Sequence, residues 1–344
     1  MIKKLYLLAF LTLFSCAAAV AQTTFDIDFT GLGFLDNREY KDFIARSRTY
    51  SGTRTALDLG LNVDSLNHFV VGANAIHEFG AQPFFLTVDP VAYYKFTGKK
   101  WLFFIGEFPR EGNLSNYPRA FLNDTMRYYR PNVQGMLIQF HSDHFMETGW
   151  LDWVSRQTDV SREEFLWGSY GKYRPSLYGP FYISHYAVLL HDAGAAILTP
   201  DDHIEENGGV QALLGLDLSK KQKLLDSLSV ETGDMLTLGR VRGLDGWQTS
   251  NGFVLKIYAS YRQFAILNEF YDGQPAQVLT YGDSFYQKKF YDRLDMMFNA
   301  FNARGLKGQF VLSVHRTPGF TSNQEAFRLT YDLGRRVLAR LKDN

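Results

Sequence analysis

The sequence predicts an all-β fold, a transmembrane antiparallel β-barrel of about 16 strands, within a range of roughly 14–18. Three features predict it: strict alternation of apolar and polar residues, connections of two length classes, and polar residues that recur on one strand face. The alternation is clearest in AFRLTYDLG, residues 326–334. There Phe327, Leu329 and Tyr331 alternate with Arg328 and Thr330. A strand with this pattern has one apolar face and one polar face.

Similar segments recur along the whole chain, from FDIDFTGLG near the N-terminus to QFVLSVH near the C-terminus. About 323 mature residues, divided among about 16 strands, leave about 20 residues for each strand with its connection. A tilted strand needs about ten residues to cross a bilayer. The chain length therefore fits one membrane-spanning barrel domain, predicted at residues 22–334.

The predicted connections fall into two classes. With the N-terminus on the periplasmic side, connections after even-numbered strands are short and those after odd-numbered strands are mostly long, which is typical of outer-membrane barrels. A soluble sandwich, the alternative fold, has no reason to segregate its loops in this way. The short connections are expected near residues 64–67, 97–100, 142–144, 173–178, 219–223, 261–262 and 303–308. The long ones are expected near 35–51, 109–131, 192–206, 239–249, 271–285 and 316–324, with two shorter exceptions near 79–83 and 157–161.

Polar side chains occupy the strand face opposite the apolar row. In a soluble sandwich this face would meet solvent, whereas in a barrel it lines the lumen. Charged and amide groups in such numbers cannot be buried dry without a large free-energy cost, so a barrel would hold water inside. The predicted lumen-lining residues are Arg54, Asp58, Asn74, Glu78, Asp217, Glu231, Lys256, Arg328 and Asp332.

The composition and the first residues narrow the class of protein further. Residues 1–21 combine a basic start, an apolar core and a small-residue cleavage site, which predicts a secretory signal peptide. Cys16, within that segment, is the only cysteine, so no disulfide is expected. The rest of the chain has no apolar run long enough for a transmembrane helix. With 36 basic and 36 acidic residues, nothing indicates a nucleic-acid partner.

Four segments resemble a known family: FLDNREY (34–40), FPREGNLSNYPRAFLNDTMRYYRPN (108–132), GWLDW (149–153) and GDSFYQ (282–287). They are similar to porin-like outer-membrane β-barrel proteins of the Bacteroidota, and the resemblance covers most of the mature chain. It implies a location in the outer membrane of a Gram-negative bacterium, and no established biochemical role comes with it. Many such barrels end in an aromatic residue, whereas this chain continues through residues 335–344 as a basic tail or a strand extension.

The long connection at 109–131 is the main candidate for a functional loop. In general porins the third loop folds into the lumen, where opposed acidic and basic rows select small polar solutes. Here the loop could form such a constriction, cap the barrel mouth, or remain a plain surface loop. Its candidate constriction residues are Arg110, Glu111, Arg119, Asp124, Arg127, Tyr128 and Arg130.

No motif for catalysis or for a cofactor stands out. His185 and His191 share one strand face, but Ser184 points away from His185, so no Ser–His pair is predicted from adjacent residues. His141 and His144 flank a tight turn with too few further ligands for a metal site. We therefore expect a non-enzymatic protein with no catalytic residues, no metal and no cofactor.

The predicted function is a porin-like channel for passive or weakly selective passage of small polar solutes. A barrel plugged by loops that docks in an outer-membrane complex is the alternative, and a barrel-embedded hydrolase is a third hypothesis. The expected partners are outer-membrane lipid and lipopolysaccharide, small polar solutes, and either further copies of the chain or an outer-membrane protein complex. The solute and the oligomeric state are left open.

Overall fold

A computed structural model describes residues 23–197, 202–277 and 280–341, so the predicted signal peptide lies outside the described residues. Nearly all of this part is β-structure, with one helical turn, α1 (Met126–Tyr129), and one 3₁₀ turn at Ser284–Gln287. The strands are β1 (Thr24–Glu39), β2 (Arg48–Asn62), β3 (Asn67–Glu78), β4 (Thr87–Thr97), β5 (Trp101–Pro109), β6 (Asn132–His141), β7 (Phe145–Ser155), β8 (Glu164–Tyr173), β9 (Phe181–Asp192), β10 (Glu205–Asp217), β11 (Ser227–Val241), β12 (Gln248–Tyr261), β13 (Phe264–Gly273), β14 (Phe290–Ala303), β15 (Leu306–Thr317), β16 (Phe320–Asp332) and β17 (Arg336–Arg340).

The strands form one closed antiparallel barrel. Each strand from β1 to β15 pairs with the next in the chain, and β1 closes the sheet by pairing with β16 from Thr30↔Asp332 to Glu39↔Asn323. The first residues of β1 pair instead with β17, which continues the direction of β16 beyond Gly334, where φ is 65°. The wall thus has 16 strand positions, and the predicted fold class is confirmed.

The connections separate onto two rims. The short-turn rim holds residues 63–66, 98–100, 142–144, 174–180, 218–226, 262–263 and 304–305, and the long-loop rim holds 40–47, 79–86, 110–131, 156–163, 193–204, 242–247, 274–289 and 318–319. The expected long connection at 316–324 is wrong, because Thr317 pairs directly with Phe320 across a tight turn at Pro318 and Gly319. Gly319 has φ of 83°, a value that suits glycine at such a turn.

The two faces of the wall differ as the alternation predicts. In β1, the buried side chains of Leu32, Phe34 and Asp36 point inward, and Leu35 between them is 49% exposed. The outward rows carry many exposed large apolar side chains, among them Leu57 and Val71. Exposed apolar rows around a closed barrel are the pattern of a lipid-facing surface. Of the helical segments within the described ranges, none has the length and apolar character to cross a membrane.

The hydrophobic core lies inside the barrel. Two connections of the long-loop rim fold inward: residues 110–131, here called the lumen loop, and the second connection, of which residues 274–277 and 280–289 are described. Phe121 of the lumen loop and Phe285 of the second connection are almost fully buried, and both belong to one cluster with wall residues Phe108, Leu166 and Tyr271. The middle of the barrel is therefore filled with packed side chains.

Candidate functional site

The base of the lumen loop is fastened to the wall by Arg110. Its guanidinium is buried, donates to the carbonyl oxygens of Arg130 (2.9 Å) and Asn132 (3.0 Å), and forms an ion pair with Asp152 of β7. Arg130 in turn donates to the carbonyl oxygen of Val154 at 2.7 Å. These charge-assisted bonds close the loop at both ends, so both arginines hold the loop in place.

Tyr117 anchors the middle of the lumen loop against β7–β9. Its hydroxyl donates to the carbonyl oxygen of Ala187 (2.6 Å) and accepts a hydrogen bond from Trp150 Nε1 (3.1 Å). The two rings pack edge to face with centroids 5.5 Å apart. Burial raises the pKa of the Tyr117 phenol well above its ordinary value, so the hydroxyl keeps its proton.

A buried network of charges fixes the far end of the loop. Arg119 forms ion pairs with Asp124 (3.2 Å), Asp295 (2.8 Å) and Glu269. Arg293 of β14 pairs with Asp124 (2.9 Å) and Asp295 (2.8 Å). Burial alone would raise the pKa of Asp124, but the guanidiniums of Arg119 and Arg293 hold it well below its ordinary value. These charges neutralise one another, so they do not form opposed rows across an open pore.

The helical turn α1 packs on the opposite wall. The Tyr128 ring is fully buried and stacks on Phe34 with centroids 4.4 Å apart. Arg328 Nε donates to the Tyr128 hydroxyl at 3.3 Å. Arg328, predicted to line the lumen, therefore contacts the loop that fills it.

Free space remains beside the lumen loop. A cavity of about 210 Å³ lies beside Arg119, Asp124 and Lys256, and a second cavity of about 310 Å³ lies beside Asp28, Asp58 and Arg335. The two cavities share part of their lining: Arg54, Glu111, Arg127 and Pro131. Glu111 and Arg127 form an ion pair of 2.9 Å at this boundary. Of the candidate constriction residues, these two line both cavities.

The other predicted lumen residues lie on the inner wall with various partners. Arg54 donates to the carbonyl oxygen of Arg127 (3.2 Å), and Asn74 donates to Asn132 Oδ1 (2.9 Å). Glu78 accepts from the Tyr129 hydroxyl at the long-loop rim. The remaining contacts are Asp217 with Arg174 (3.3 Å), Glu231 with Ser184 (3.3 Å), and Asp332 with the backbone N–H of Gly334 (2.7 Å).

Polar groups also occupy the lipid-facing wall at the long-loop rim. Asn37 Nδ2 donates to Glu39 (3.1 Å) and Glu325 (3.2 Å), and its Oδ1 accepts from Thr49 Oγ1 (2.8 Å). Asn323 Nδ2 donates to Glu325 at 2.7 Å and lies 3.5 Å from Glu39. We call these five residues of β1, β2 and β16 the rim cluster. Two carboxylates, two amides and a hydroxyl can together bind and polarise an ester and a water molecule.

A second polar group lies near the middle of the lipid-facing wall. His185 Nε2 is 3.5 Å from Ser169 Oγ and 3.2 Å from Glu147 Oε1. Gly171 lies between Glu147 and His185 in the strand register, and a Cβ there would come within 2.1 Å of Glu147 Oε2. Sequence reasoning missed this group, because Ser169 and His185 meet only through the pairing of β8 with β9. Both contacts use the same ring nitrogen, unlike a serine-hydrolase triad.

A basic group lies at the long-loop rim on the side of β9–β11. Arg240 and Arg242 both pair with Glu206, and His191 Nδ1 lies 3.4 Å from the same carboxylate. The Arg240 guanidinium stacks over the Trp247 ring at 4.3 Å. The guanidiniums of these two arginines, beside an aromatic ring, can contact an anionic lipid headgroup, although Asp192, Glu205 and Asp245 line the adjacent cavity.

His141 and His144 lie at the short-turn rim. His144 Nδ1 lies 2.7 Å from the carbonyl oxygen of Arg174, so it contributes to the turn. Within the three described ranges, no three or more His, Cys, Asp or Glu side chains are grouped so that they could hold a metal ion.

The closed barrel with its apolar outer wall has the fold of a porin-like outer-membrane protein. The chain belongs to the Lipid A 3'-O-deacylase-type family, whose sequence profile matches residues 17–337. The expectation of a non-enzymatic protein is therefore wrong, because this family is named for an enzymatic activity. The resemblance to porin-like barrels implied the fold but no biochemical role.

Solved structures support the fold. The anion-selective porin from Comamonas acidovorans matches with a TM-score of 0.57 and 10% identity, over 90% of this chain and 100% of that chain. A loop L8 deletion mutant of OmpT, an outer membrane protein of Vibrio cholerae, matches with a TM-score of 0.56 and 10% identity, over 90% of this chain and 99% of that chain. No curated protein sequence matches. At such low identity these structures indicate the architecture alone.

Proposed function

We propose that the protein is an outer-membrane acyl hydrolase that removes an ester-linked fatty acid from lipid A at the rim cluster. The family name supplies the reaction and the substrate class, deacylation at the 3′ oxygen of lipid A. The observation that carries the proposal is the position of the rim cluster along the membrane normal, on the lipid-facing wall. It begins where the apolar band of β1 and β16 ends.

The strand register defines this depth. Every outward position of β1 from Phe25 to Leu35 is apolar or glycine, and the next outward residue is Asn37. On β16, Phe327 pairs with Leu35, and Glu325 pairs with Asn37. The polar residues therefore start at the edge of the hydrocarbon layer, where lipid ester groups lie. In the orientation usual for outer-membrane barrels, the long-loop rim faces the cell exterior and the leaflet that contains lipid A.

The rim cluster has the groups that ester hydrolysis needs. Glu39 or Glu325 can remove a proton from a water molecule as its oxygen bonds to the acyl carbon. The amide N–H groups of Asn37 and Asn323, which donate to Glu39 and Glu325 without substrate, can turn to the carbonyl oxygen as it gains negative charge. The bond from the acyl carbon to the sugar oxygen then breaks, and the proton passes to that oxygen. The products are a free fatty acid and a sugar hydroxyl.

The basic group at Arg240 and Arg242 is consistent with an anionic lipid as substrate. It lies at the same rim, and Trp247 beside it provides an aromatic surface at headgroup level. Arg242 is 45% exposed, so its guanidinium is accessible to a phosphate. Because β9–β11 lie on the wall opposite the rim cluster, this group can contact neighbouring lipid A molecules but does not hold the one whose ester is cut.

The test is deacylation of purified lipid A in detergent micelles, with the released fatty acid measured by mass spectrometry. Glu325→Gln removes a candidate base while keeping the side-chain shape, so we expect the rate to fall by about 100-fold or more. Glu205→Gln, an exposed acid at the same rim on the opposite wall, should leave the rate unchanged. Heat-modifiable migration on a gel checks that each variant is folded.

Two outcomes would contradict this assignment. Full activity in both Glu325→Gln and Glu39→Gln would remove the rim cluster from the reaction. Loss of activity in Ser169→Ala, with those two variants active, would assign hydrolysis to the Ser169–His185 pair. Absence of lipid A deacylation by the wild-type protein would overturn the proposed function itself.

Passage of small polar solutes is a second candidate function, supported by the two cavities beside the lumen loop. Their shared lining indicates a narrow polar route past the loop, crossed by the Glu111–Arg127 ion pair. Single-channel recording in planar bilayers tests this. Reproducible conductance steps that change on Glu111→Ala would support it, and a silent bilayer would exclude it.

A further inference from the structure

The inner wall near the short-turn rim contains two carboxylates, Asp28 and Asp58, that form no ion pair with another described residue. Asp28 of β1 and Asp58 of β2 are directly opposite in the strand register. Oδ1 of each is buried and has no hydrogen-bond partner. Asp58 is only 8% exposed. Like charges directly opposite on paired strands destabilise a sheet, and a buried carboxylate without a partner adds a desolvation cost.

The neighbouring basic groups are engaged elsewhere. Arg335 pairs with Asp26 at 2.9 Å and donates to the Tyr93 hydroxyl at 2.9 Å. Arg127 pairs with Glu111 across the cavity. Lys307 lines the same cavity, but no ion pair links it to either Asp28 or Asp58. In the described part of the chain, the charge on this carboxylate pair is thus left uncompensated by a direct contact.

The surrounding sequence makes room for these carboxylates. Gly72 of β3 is the register partner of Asp58, and a Cβ at this position would lie 2.3 Å from Asp58 Oδ1. The carboxylate therefore rests against bare backbone, where a larger residue would displace it. Asp28 and Asp58 both line the cavity of about 310 Å³ below the lumen loop.

We propose that this cavity binds a small organic cation, with its ammonium or guanidinium group between Asp28 and Asp58. An ammonium carries three donors and can serve both carboxylates at once. A metal ion fits less well, because the described residues provide no cluster of three or more metal-binding side chains here. The volume, about ten times the roughly 30 Å³ that a water molecule occupies in the liquid, suits a molecule the size of a diamine.

This site goes beyond the proposed deacylase activity, because it lies inside the barrel and the rim cluster lies outside. The experiment uses the full-length protein in detergent and isothermal titration calorimetry with putrescine as the probe. 1,4-Butanediol, which has the same length without charge, and Mg²⁺ are titrated in parallel. We expect putrescine to bind the wild-type protein, and binding to weaken at least about tenfold in Asp58→Asn and in Asp28→Asn.

Asp143→Asn, at an exposed turn of the short-turn rim, is the matched control and should bind putrescine as the wild type does. Failure of the wild type to bind putrescine would overturn the proposal. So would equal binding in Asp58→Asn and the wild type, or binding of Mg²⁺ in place of putrescine. Asp28→Asn provides the same comparison if Asp58→Asn does not fold. Lipid A deacylation should be unchanged in these variants, which separates this site from the proposed function.

Discussion

The two sides of the barrel interior hold their charged groups in opposite ways. Beside the lumen loop, Arg119, Asp124 and Arg293 each have at least two charged partners within 4.0 Å. Beside β1 and β2, Asp28 and Asp58 each leave a buried oxygen without a partner. Both sides are buried in the same lumen, so the difference lies in pairing alone.

This difference separates charges that hold the fold from charges that are free to bind a ligand. At an effective dielectric constant of about 20, opposite unit charges about 4 Å apart attract by about 4 kcal/mol. Removal of one member of a buried network leaves the others desolvated and unpaired. Removal of an unpaired acid instead eliminates a cost. The same substitution, acid to amide, should therefore have opposite effects on the two sides.

The largest effect is expected on the paired side. Arg119→Met should lower the free energy of unfolding by about 3–5 kcal/mol, because it leaves three buried acids short of a partner. The measurement is urea unfolding of the protein refolded into lipid vesicles. Arg316→Met is the control, since Arg316 is 59% exposed and 3.6 Å from Asp292, and it should cost about 1 kcal/mol or less. Equal losses in the two variants would refute the structural role of the network.

The pH dependence of stability tests whether the ion pairs of Asp124 stabilise the folded protein. The folded-state pKa of Asp124 is held below its ordinary value, so its contribution to stability is complete above the unfolded-state pKa of about 3.9. That contribution is lost only as the pH falls further, through the folded-state pKa. The stability difference between the wild type and Asp124→Asn should therefore stay constant from pH 7 to about pH 5 and shrink below about pH 4. A difference that shrinks already near pH 6 would contradict this account.

The sequence predicted the wall of this barrel better than its interior. Alternation locates strands and their faces, because each follows from a local period of two. It could not show that Arg119 meets Asp295, since 176 residues separate them and only closure of the barrel joins them. The sequence predicts the charges of the lumen loop. Whether they hold the loop in place depends on which wall residues they pair with, and the fold decides that.

The candidate sites on the outer wall also depend on contacts between distant residues, which the local alternation of the sequence does not show. Asn37 lies within the segment FLDNREY that carried the family resemblance, yet its partner Glu325 comes from the far end of the chain. The search for a Ser–His pair within one strand could not find Ser169 and His185, which meet across two strands. The sequence predicts a basic tail or a strand extension beyond Gly334, and the structure pairs Arg336–Arg340 with β1.

On the unpaired side, Asp58→Asn tests the comparison with the opposite sign. In buffer without organic cations, this substitution should raise the free energy of unfolding by about 1 kcal/mol, because it removes the repulsion between like charges opposite each other on paired strands. Asp124→Asn, the matched substitution on the paired side, should lower it. Urea unfolding of the two variants side by side measures both. A loss of stability in both would mean that Asp58 has a stabilising partner.

The Glu111–Arg127 ion pair lies between the two sides and should have the smallest effect on stability. Its side chains are 53% and 37% exposed, so Glu111→Ala or Arg127→Ala should each change the free energy of unfolding by about 1 kcal/mol or less. Both side chains line the boundary between the two cavities, so either substitution should widen the route and increase single-channel conductance. Planar-bilayer recording and urea unfolding of the same preparations measure the two effects. A stability loss well above 1 kcal/mol without a change in conductance would mean that this ion pair holds the lumen loop in place and does not narrow a passage.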